Sequence, residues 1–444
     1  MGEQLHHRKK MNSFQIIILG FAGVILLGAC LLMLPISSRD RVVTPFLDSL
    51  FTATSAVCVT GLVLHDTATY WSAFGQAVIL LMIQVGGMGV ITVAASFAML
   101  SGRKISLMQR STIQEAIAAP KMGGIIRLTG FIIKITLGLE LLGAVIMVPV
   151  FFKDYGFRGL WMALFHSISA FCNAGFDLMG TDAPFSSLTA YADNLVINIT
   201  IMLLIIIGGI GFLTWDDIRA NGIHLRKYRM QSKVILSTTL VLLFIPALYF
   251  FCFSFASMPL GERVLCSLFQ AVTPRTAGFN TVDLGMIEEP GQFLMIALML
   301  IGGSPGSTAG GMKITTIAVL FTTAIATFQR KEHAHCFGRR IGDDTIKNAA
   351  TILLMYISLF WIGGLLISML EGLPMSDCLF EAASAIGTVG LTLGITPGLG
   401  TVSQLILILL MFFGRVGGLT LMFAALSDKR RNVSMLPQEK IMVG

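Results

Sequence analysis

One thirteen-residue stretch occurs four times along this chain, and the repetition limits the folds open to it. Leu268 to Asn280 reads LFQAVTPRTAGFN, with altered copies at Leu50 to Leu62 (LFTATSAVCVTGL), Leu164 to Phe176 (LFHSISAFCNAGF) and Leu379 to Leu391 (LFEAASAIGTVGL). Each opens on Leu-Phe, runs through small residues and closes on a glycine followed by a large apolar residue. The Phe precedes its glycine by ten residues in three copies and by nine in the third. Successive glycines, Gly61, Gly175, Gly278 and Gly390, stand 114, 103 and 112 residues apart, so the chain reads as four divergent copies of one unit. Four copies predict a four-fold pseudosymmetric arrangement around a pore.

The physics of one copy turns repetition into an expectation of function. About ten helical residues rise only ~15 Å, half of a ~30 Å hydrocarbon core, so each Leu-Phe segment predicts a half-helix that enters the membrane without crossing it. Non-helical backbone at that depth is tolerated only where it is buried in protein or lines water. Carbonyls there can replace an ion's hydration shell, and the negative end of the half-helix favours a cation. The expected ion-binding and selectivity residues are therefore Val59, Thr60 and Gly61; Asn173, Ala174 and Gly175; Thr276, Ala277 and Gly278; and Thr388, Val389 and Gly390.

Composition supplies the solvent. With 444 residues, 55% hydrophobic and 12% charged, and a mean hydropathy of +0.81, the chain calls for a lipid bilayer and predicts an all-α polytopic membrane protein. The net charge of +7 does not indicate a nucleic-acid partner, because its position decides otherwise. Arg8, Lys9 and Lys10, then Arg103 to Arg127, Arg219 to Lys233, Arg330 to Lys347 and Lys429 to Lys440 all fall on one side of the expected spans. That is positive-inside topology with both termini cytoplasmic. The seven cysteines include no CxxC pair, so neither a disulfide framework nor a structural zinc site is indicated. His333, His335 and Cys336 lack a second ligand pair nearby and read as a solvated connector.

Taken in order, repeat 1 covers residues 1–102, repeat 2 103–217, repeat 3 218–338 and repeat 4 339–444. Each is a span, a half-helix and a second span, which gives eight spans and four re-entrant segments. The expected spans are Phe14 to Leu34, Trp71 to Leu100, Gly124 to Phe152, Leu195 to Trp215, Val234 to Ala256, Gln292 to Phe328, Ala349 to Leu370 and Val402 to Leu426. Ile105 to Ala116 is amphipathic and expected at the membrane surface. Lys134 and Glu140, within the third span, receive no transport role.

A second echo runs through the later span of each unit: Val85-Gly-Gly-Met-Gly, Ile207-Gly-Gly-Ile-Gly, Ile301-Gly-Gly-Ser-Pro-Gly and Val416-Gly-Gly. These glycines thin helices that must pass one another. In the third unit, residues 302–316 (GGSPGSTAGGMKITT) carry too many breakers for a continuous helix. A loop inside the membrane is expected there, and its place in only one unit reads as a gate: Gly302, Gly303, Ser304, Pro305, Gly306, Ser307, Thr308, Ala309, Gly310, Gly311, Met312 and Lys313. Gly302-x-Ser304-x-Gly306 also has the form of a hydrolase elbow, but that motif needs a strand-turn-helix context and a histidine partner. The context is apolar helix and only His166 could sit at depth, so no enzyme is expected. No P-loop sequence occurs, so flux must run down a gradient or be coupled to another ion.

The four glycine-ended segments and the GGSPGSTAGGMK loop closely resemble the Trk/Ktr/HKT superfamily of potassium transporters over essentially the whole chain, and eight spans resemble the Ktr-type membrane subunit (KtrB-like). The resemblance implies potassium uptake at the plasma membrane by a homodimer with one pore per protomer. It also implies a cytoplasmic ring of RCK-type nucleotide-binding subunits (KtrA-like), on which ATP and ADP bind. In the family a Ser at the first filter position goes with sodium passage; glycine at all four favours potassium (K+), with sodium (Na+) left open as a coupling ion. Arg415, aligned with Gln84 by the second echo, matches the family's arginine below the filter, with loop carbonyls and hydroxyls as its expected partners. An ion-coupled secondary transporter of another solute is the alternative; it would show inverted repeats, whereas these are four and parallel.

Overall fold

The computed structural model describes residues 12–100, 106–117, 123–181, 183–418 and 420. The basic residues Arg8 to Lys10, Arg103, Lys104, Lys121 and Lys429 to Lys440, and the end of the last expected span, lie outside them. Four long helices form the outer wall: α1 (Ser13–Leu32), α6 (Ile125–Tyr155), α10 (Met230–Tyr249, continued by a π turn to Ser254) and α14 (Asp343–Glu371). In α6 the buried residues Ile132, Thr136, Glu140, Gly143, Met147 and Phe151 recur every three or four positions and face the bundle. Leu137, Leu141, Leu142 and Val145 on the other face are more than half exposed. An apolar face without protein cover is what lipid solvates.

Inside this wall each unit contributes a half-helix: α2 (Phe46–Cys58), α7 (Arg158–Phe171), α11 (Leu260–Val272) and α15 (Met375–Gly387). At thirteen or fourteen residues none crosses the hydrocarbon, as the recurring stretch predicts. After each half-helix the chain returns through a loop and enters an inner helix: α3 (Ala73–Met88), α8 (Leu195–Ile210), α12 (Glu289–Leu300) and α16 (Thr401–Val416). Each inner helix packs against the half-helix of the next unit, α3 on α7, α8 on α11, α12 on α15 and α16 on α2. The fourth contact returns to the first unit and closes the circle.

The inner helices correct one expectation. They are not continuous, and interruption is not confined to the third unit. The stretch Trp71 to Leu100 is α3 and α4 (Val90–Leu100), bent by 96°, and Leu195 to Trp215 runs through α8 and α9 (Phe212–Asn221), bent by 94°. The pivots, Gly89 and Gly211, have φ of 86° and 95°, and Gly417 after α16 has the same left-handed backbone at 85°. Only glycine takes such a conformation cheaply. Among the described residues, what the third unit alone carries is an inserted segment, residues 302–313, between α12 and α13 (Ile314–Phe328). On the basic side lie α5 (Leu107–Ile117), the amphipathic stretch, and a short hairpin pairing His335–Cys336 with Arg339–Arg340.

Candidate functional site

The four glycine segments meet at the centre of this circle. At each half-helix end the residue two before the glycine is left-handed: Val59 at φ 57°, Asn173 at 59°, Thr276 at 64° and Thr388 at 50°. The glycines follow with φ of 94°, 70°, 81° and 94°. Left-handed backbone is costly for residues with a Cβ, so the same costly geometry four times over is imposed by the surrounding fold. It breaks the extended strand, in which successive peptide groups face opposite sides. All twelve segment residues, including Thr60, Ala174, Ala277 and Val389, are buried.

Their contacts form a closed ring. A Cβ placed on Gly61 would lie 2.5 Å from the Ala174 carbonyl oxygen, and one on Gly175 would lie 2.8 Å from that of Ala277. On Gly278 it would strike the Val389 carbonyl, and on Gly390 the Thr60 carbonyl. Each glycine thus touches the carbonyl of the next unit in chain order, and the fourth touches the first. No side chain fits at any of the four points.

A shell of hydrogen bonds holds the ring. The N–H groups of Thr60, Ala174 and Val389 donate to the carbonyls of Ser55, Ser169 and Ser384, each at 2.8 Å, and that of Ala277 to Thr273 at 3.0 Å. The same four hydroxyl residues use their side chains as well. Ser55 and Ser384 accept from the N–H of Gly61 and Gly390 at 3.0 Å, whereas Ser169 and Thr273 donate to the carbonyls of Phe176 and Phe279. Behind them stand the residues that follow the recurrent Phe. His166 accepts at Nε2 from the Leu178 N–H, which leaves Nδ1 to donate to the Met162 carbonyl. Glu381 accepts from the hydroxyls of Thr392 and Thr396. His166 is therefore a brace for the second segment, its two ring nitrogens taken up by Met162 and Leu178 rather than by Ser304 of the elbow-like sequence.

On one side of the ring a cavity of about 120 Å³ is lined by Gly61, Gly175, Gly278 and Gly390 together with Asp66 and Asp177. Asp66 takes up the N–H groups of Ala68, Thr69 and Phe185, joining the outer loops of the first two units. Burial raises the Asp177 carboxyl to about 7, opposed by the Met179 N–H and assisted by the charge on Asp66.

On the other side lies the 302–313 segment, bonded to three units. Within its own unit, Gly302 donates to Met312 and Ile314 to Gly303; Ser304 and Thr308 donate to the carbonyls of Gly209 and Gly208 in α8; Gly311 donates to Gly414 in α16. Phe212, opening α9, donates to Gly306 at 2.8 Å. The Thr308 hydroxyl lies 3.0 Å from both the Phe171 carbonyl and Asn173 Oδ1, so the segment touches the base of the second glycine segment. A Cβ on Gly310 would strike the Thr388 side chain. Lys313 Nζ donates to the carbonyls of Ala309 and Gly310 at 3.0 and 3.3 Å, tying the segment to itself rather than reaching for an interface.

Arg415 crosses this level. Its guanidinium donates to the carbonyls of Thr308, Gly86 and Gly87. One of these partners is the loop carbonyl expected; the other two belong to the first unit's inner helix. Its register differs from the alignment with Gln84. A Cβ on Gly86, Gly208 or Gly414 would overlap the carbonyl of Val57, Phe171 or Ile386 respectively, each four residues before its ring glycine. Gly89, Gly211 and Gly417 follow three residues later with matching φ. Arg415 therefore stands where the first two units have Gly87 and Gly209, and Gln84 lies three residues earlier in its helix. Matching Val-Gly-Gly by letter slid the fourth copy; close backbone approach sets the register. Gln84 instead donates to the carboxylate of the buried Glu140 at 3.0 and 3.2 Å, and the Ser167 hydroxyl donates to the Glu140 carbonyl.

Comparison with known proteins agrees with this architecture. Residues 2–434 match the TrkH family, described as a cation transport protein. The chain is similar to the potassium/sodium uptake protein NtpJ of Enterococcus hirae, with 38% identity covering 98% of each chain. It is also similar to the Ktr system potassium uptake protein B of Bacillus subtilis, with 37% identity over 97% of this chain and 96% of that protein. The crystal structure of the potassium transporter TrkH from Vibrio parahaemolyticus shares the fold at a TM-score of 0.74 and 20% identity, over 95% of this chain and 86% of that one. A helical membrane wall, four half-helices around one axis and a match along nearly the whole length lead to one conclusion: the chain belongs to the TrkH family of cation transport proteins, multi-pass membrane transporters rather than enzymes.

Proposed function

We propose that the chain is the ion-translocating subunit of a Ktr-type potassium uptake system and that the ring at Gly61, Gly175, Gly278 and Gly390 is its selectivity filter. The observation that carries this reading is the closure of the ring, each glycine against the next unit's carbonyl. Carbonyls converging from four half-helix ends replace part of an ion's hydration shell, and the helix ends add negative partial charge. Asp66 and Asp177 raise the local cation concentration at the mouth. An ion leaving the filter meets the 302–313 segment, which acts as the gate, with Arg415 as its latch: one guanidinium holds the Thr308 carbonyl against the first unit. A fixed positive charge there also opposes a cation in a low-dielectric path.

The basic connectors support a cytoplasmic position for the segment's side of the molecule, where an RCK-type ring carrying ATP or ADP would pull on it. The protein works as a homodimer with one pore per protomer. The relatives named as a potassium/sodium uptake protein and a Ktr system potassium uptake protein support the choice of ion and of system; the regulatory ring and the dimer rest on the family resemblance. The test is thallium or rubidium flux in liposomes, with and without the regulatory ring. Entry of potassium congeners that is raised by the nucleotide-loaded ring is expected; flux indifferent to it removes the ring from the reading.

A further inference from the structure

Away from the pore, a cavity of about 390 Å³ opens on the basic side of the second unit, between the first turn of α6 and α9. Three arginines line it, and they are not equivalent. Arg229 is committed, with Nη2 3.1 Å from Asp216 and Nε 3.2 Å from Asp217. Arg219 has its guanidinium 4.8 Å from the centre of the Phe131 ring, and neither it nor Arg127 has a carboxylate partner among the described residues. Two positive charges therefore face the cavity uncompensated.

The backbone adds donors. Helix α6 begins after Gly124 with no side-chain cap, so its first N–H groups are open to an anion. A Cβ on Gly123 or Gly124 would meet nothing within 4 Å among the described residues. The rest of the lining, Ile125, Leu128, Phe131 and Leu213, is apolar, and α6 further along exposes Leu137, Leu141 and Leu142. A planar guanidinium fork matches phosphate oxygens. A free anion has no use for an apolar wall, whereas a lipid needs one for its chains.

We propose that this cavity binds the headgroup phosphate of an anionic phospholipid, held by Arg127 and Arg219, with the acyl chains running down past Leu128 and Phe131. The occupied site fixes α9 against α6. Because Phe212 at the start of α9 donates to Gly306, the lipid also steadies the 302–313 segment. This consequence rests on the proposed gate; the binding itself does not, so the two fail separately.

The test uses the full-length protein in detergent, delipidated and titrated with dioleoylphosphatidylglycerol, dioleoylphosphatidylcholine or inorganic phosphate, with bound lipid read by native mass spectrometry and stability by thermal shift. Wild type is expected to retain phosphatidylglycerol over phosphatidylcholine and to gain little from phosphate alone. The pair Arg127→Gln with Arg219→Gln should weaken phosphatidylglycerol binding about thirtyfold, the corresponding Lys pair, which keeps the charge but not the fork, should weaken it less, and Lys331→Gln with Arg339→Gln should change nothing. Equal retention by the Gln pair and wild type overturns the site. Stabilisation by inorganic phosphate equal to that by the lipid overturns the lipid assignment. If the Gln pair does not fold, the wild-type comparison decides alone: no preference for phosphatidylglycerol over phosphatidylcholine overturns the proposal.

Discussion

Gly61→Ser is the substitution on which the filter reading can be worked through with numbers. At φ 94° a residue with a Cβ carries backbone strain of about 1–3 kcal/mol. Its Cβ would sit 2.5 Å from the Ala174 carbonyl oxygen, against the roughly 3.5 Å at which nonbonded atoms rest. That carbonyl must retreat by about 1 Å, and it is one of four that form the ring. If the strain is relieved by opening the ring, discrimination between potassium and sodium falls by the same free energy, from about fivefold to about a hundredfold. The assay is paired rubidium and sodium isotope uptake in liposomes, with Gly138→Ala as control because no atom lies within 4 Å of a Cβ there. A folded, conducting Gly61→Ser protein with an unchanged rubidium-to-sodium ratio would refute the reasoning.

Three further outcomes follow from the same geometry. Arg415→Gln removes the charge and the bonds to Thr308, Gly86 and Gly87, so flux through purified protein should rise severalfold; flux at or below wild type removes the latch. Deleting Ser307 to Gly310 takes away the contacts of Thr308 with Phe171 and Asn173 and should give potassium flux without the regulatory ring, while a deletion protein that folds, dimerises and still needs the ring contradicts the gate. Asp177, raised to about 7, is neutral below that pH and charged above it, so uptake should increase as pH on the mouth side rises from about 6 to about 8; an Asp177→Asn variant with the same pH profile as wild type rules out this carboxylate.

The half-helices, their glycines and the segment after α12 were legible because each leaves a local signature: a fixed spacing, a short apolar run, a cluster of breakers. The bends at Gly89 and Gly211 were not, since Val-Gly-Gly-Met-Gly reads equally well as a helix thinned for packing, and only the backbone angle separates a pivot from a notch. Arg415 was found but misplaced, because two adjacent glycines in the fourth copy offered a match by letter, whereas overlap with the Val57, Phe171 and Ile386 carbonyls sets the register. Glu140 stood out as an intramembrane carboxylate, but its partner Gln84 is 56 residues away and no periodicity links them. The bracing roles of His166 and Glu381 share a position after the recurrent Phe, a signal present in the repeat and hidden by the difference in side chain.

The most direct test is cation flux by the purified protein in liposomes, measured over a panel of monovalent cations at fixed driving force. Potassium, rubidium and thallium should enter, sodium should be strongly discriminated against, and Gly61→Ser should narrow that difference. Equal permeation of potassium and sodium by wild type, or no cation flux where an organic solute is taken up instead, would contradict a carbonyl-ring filter.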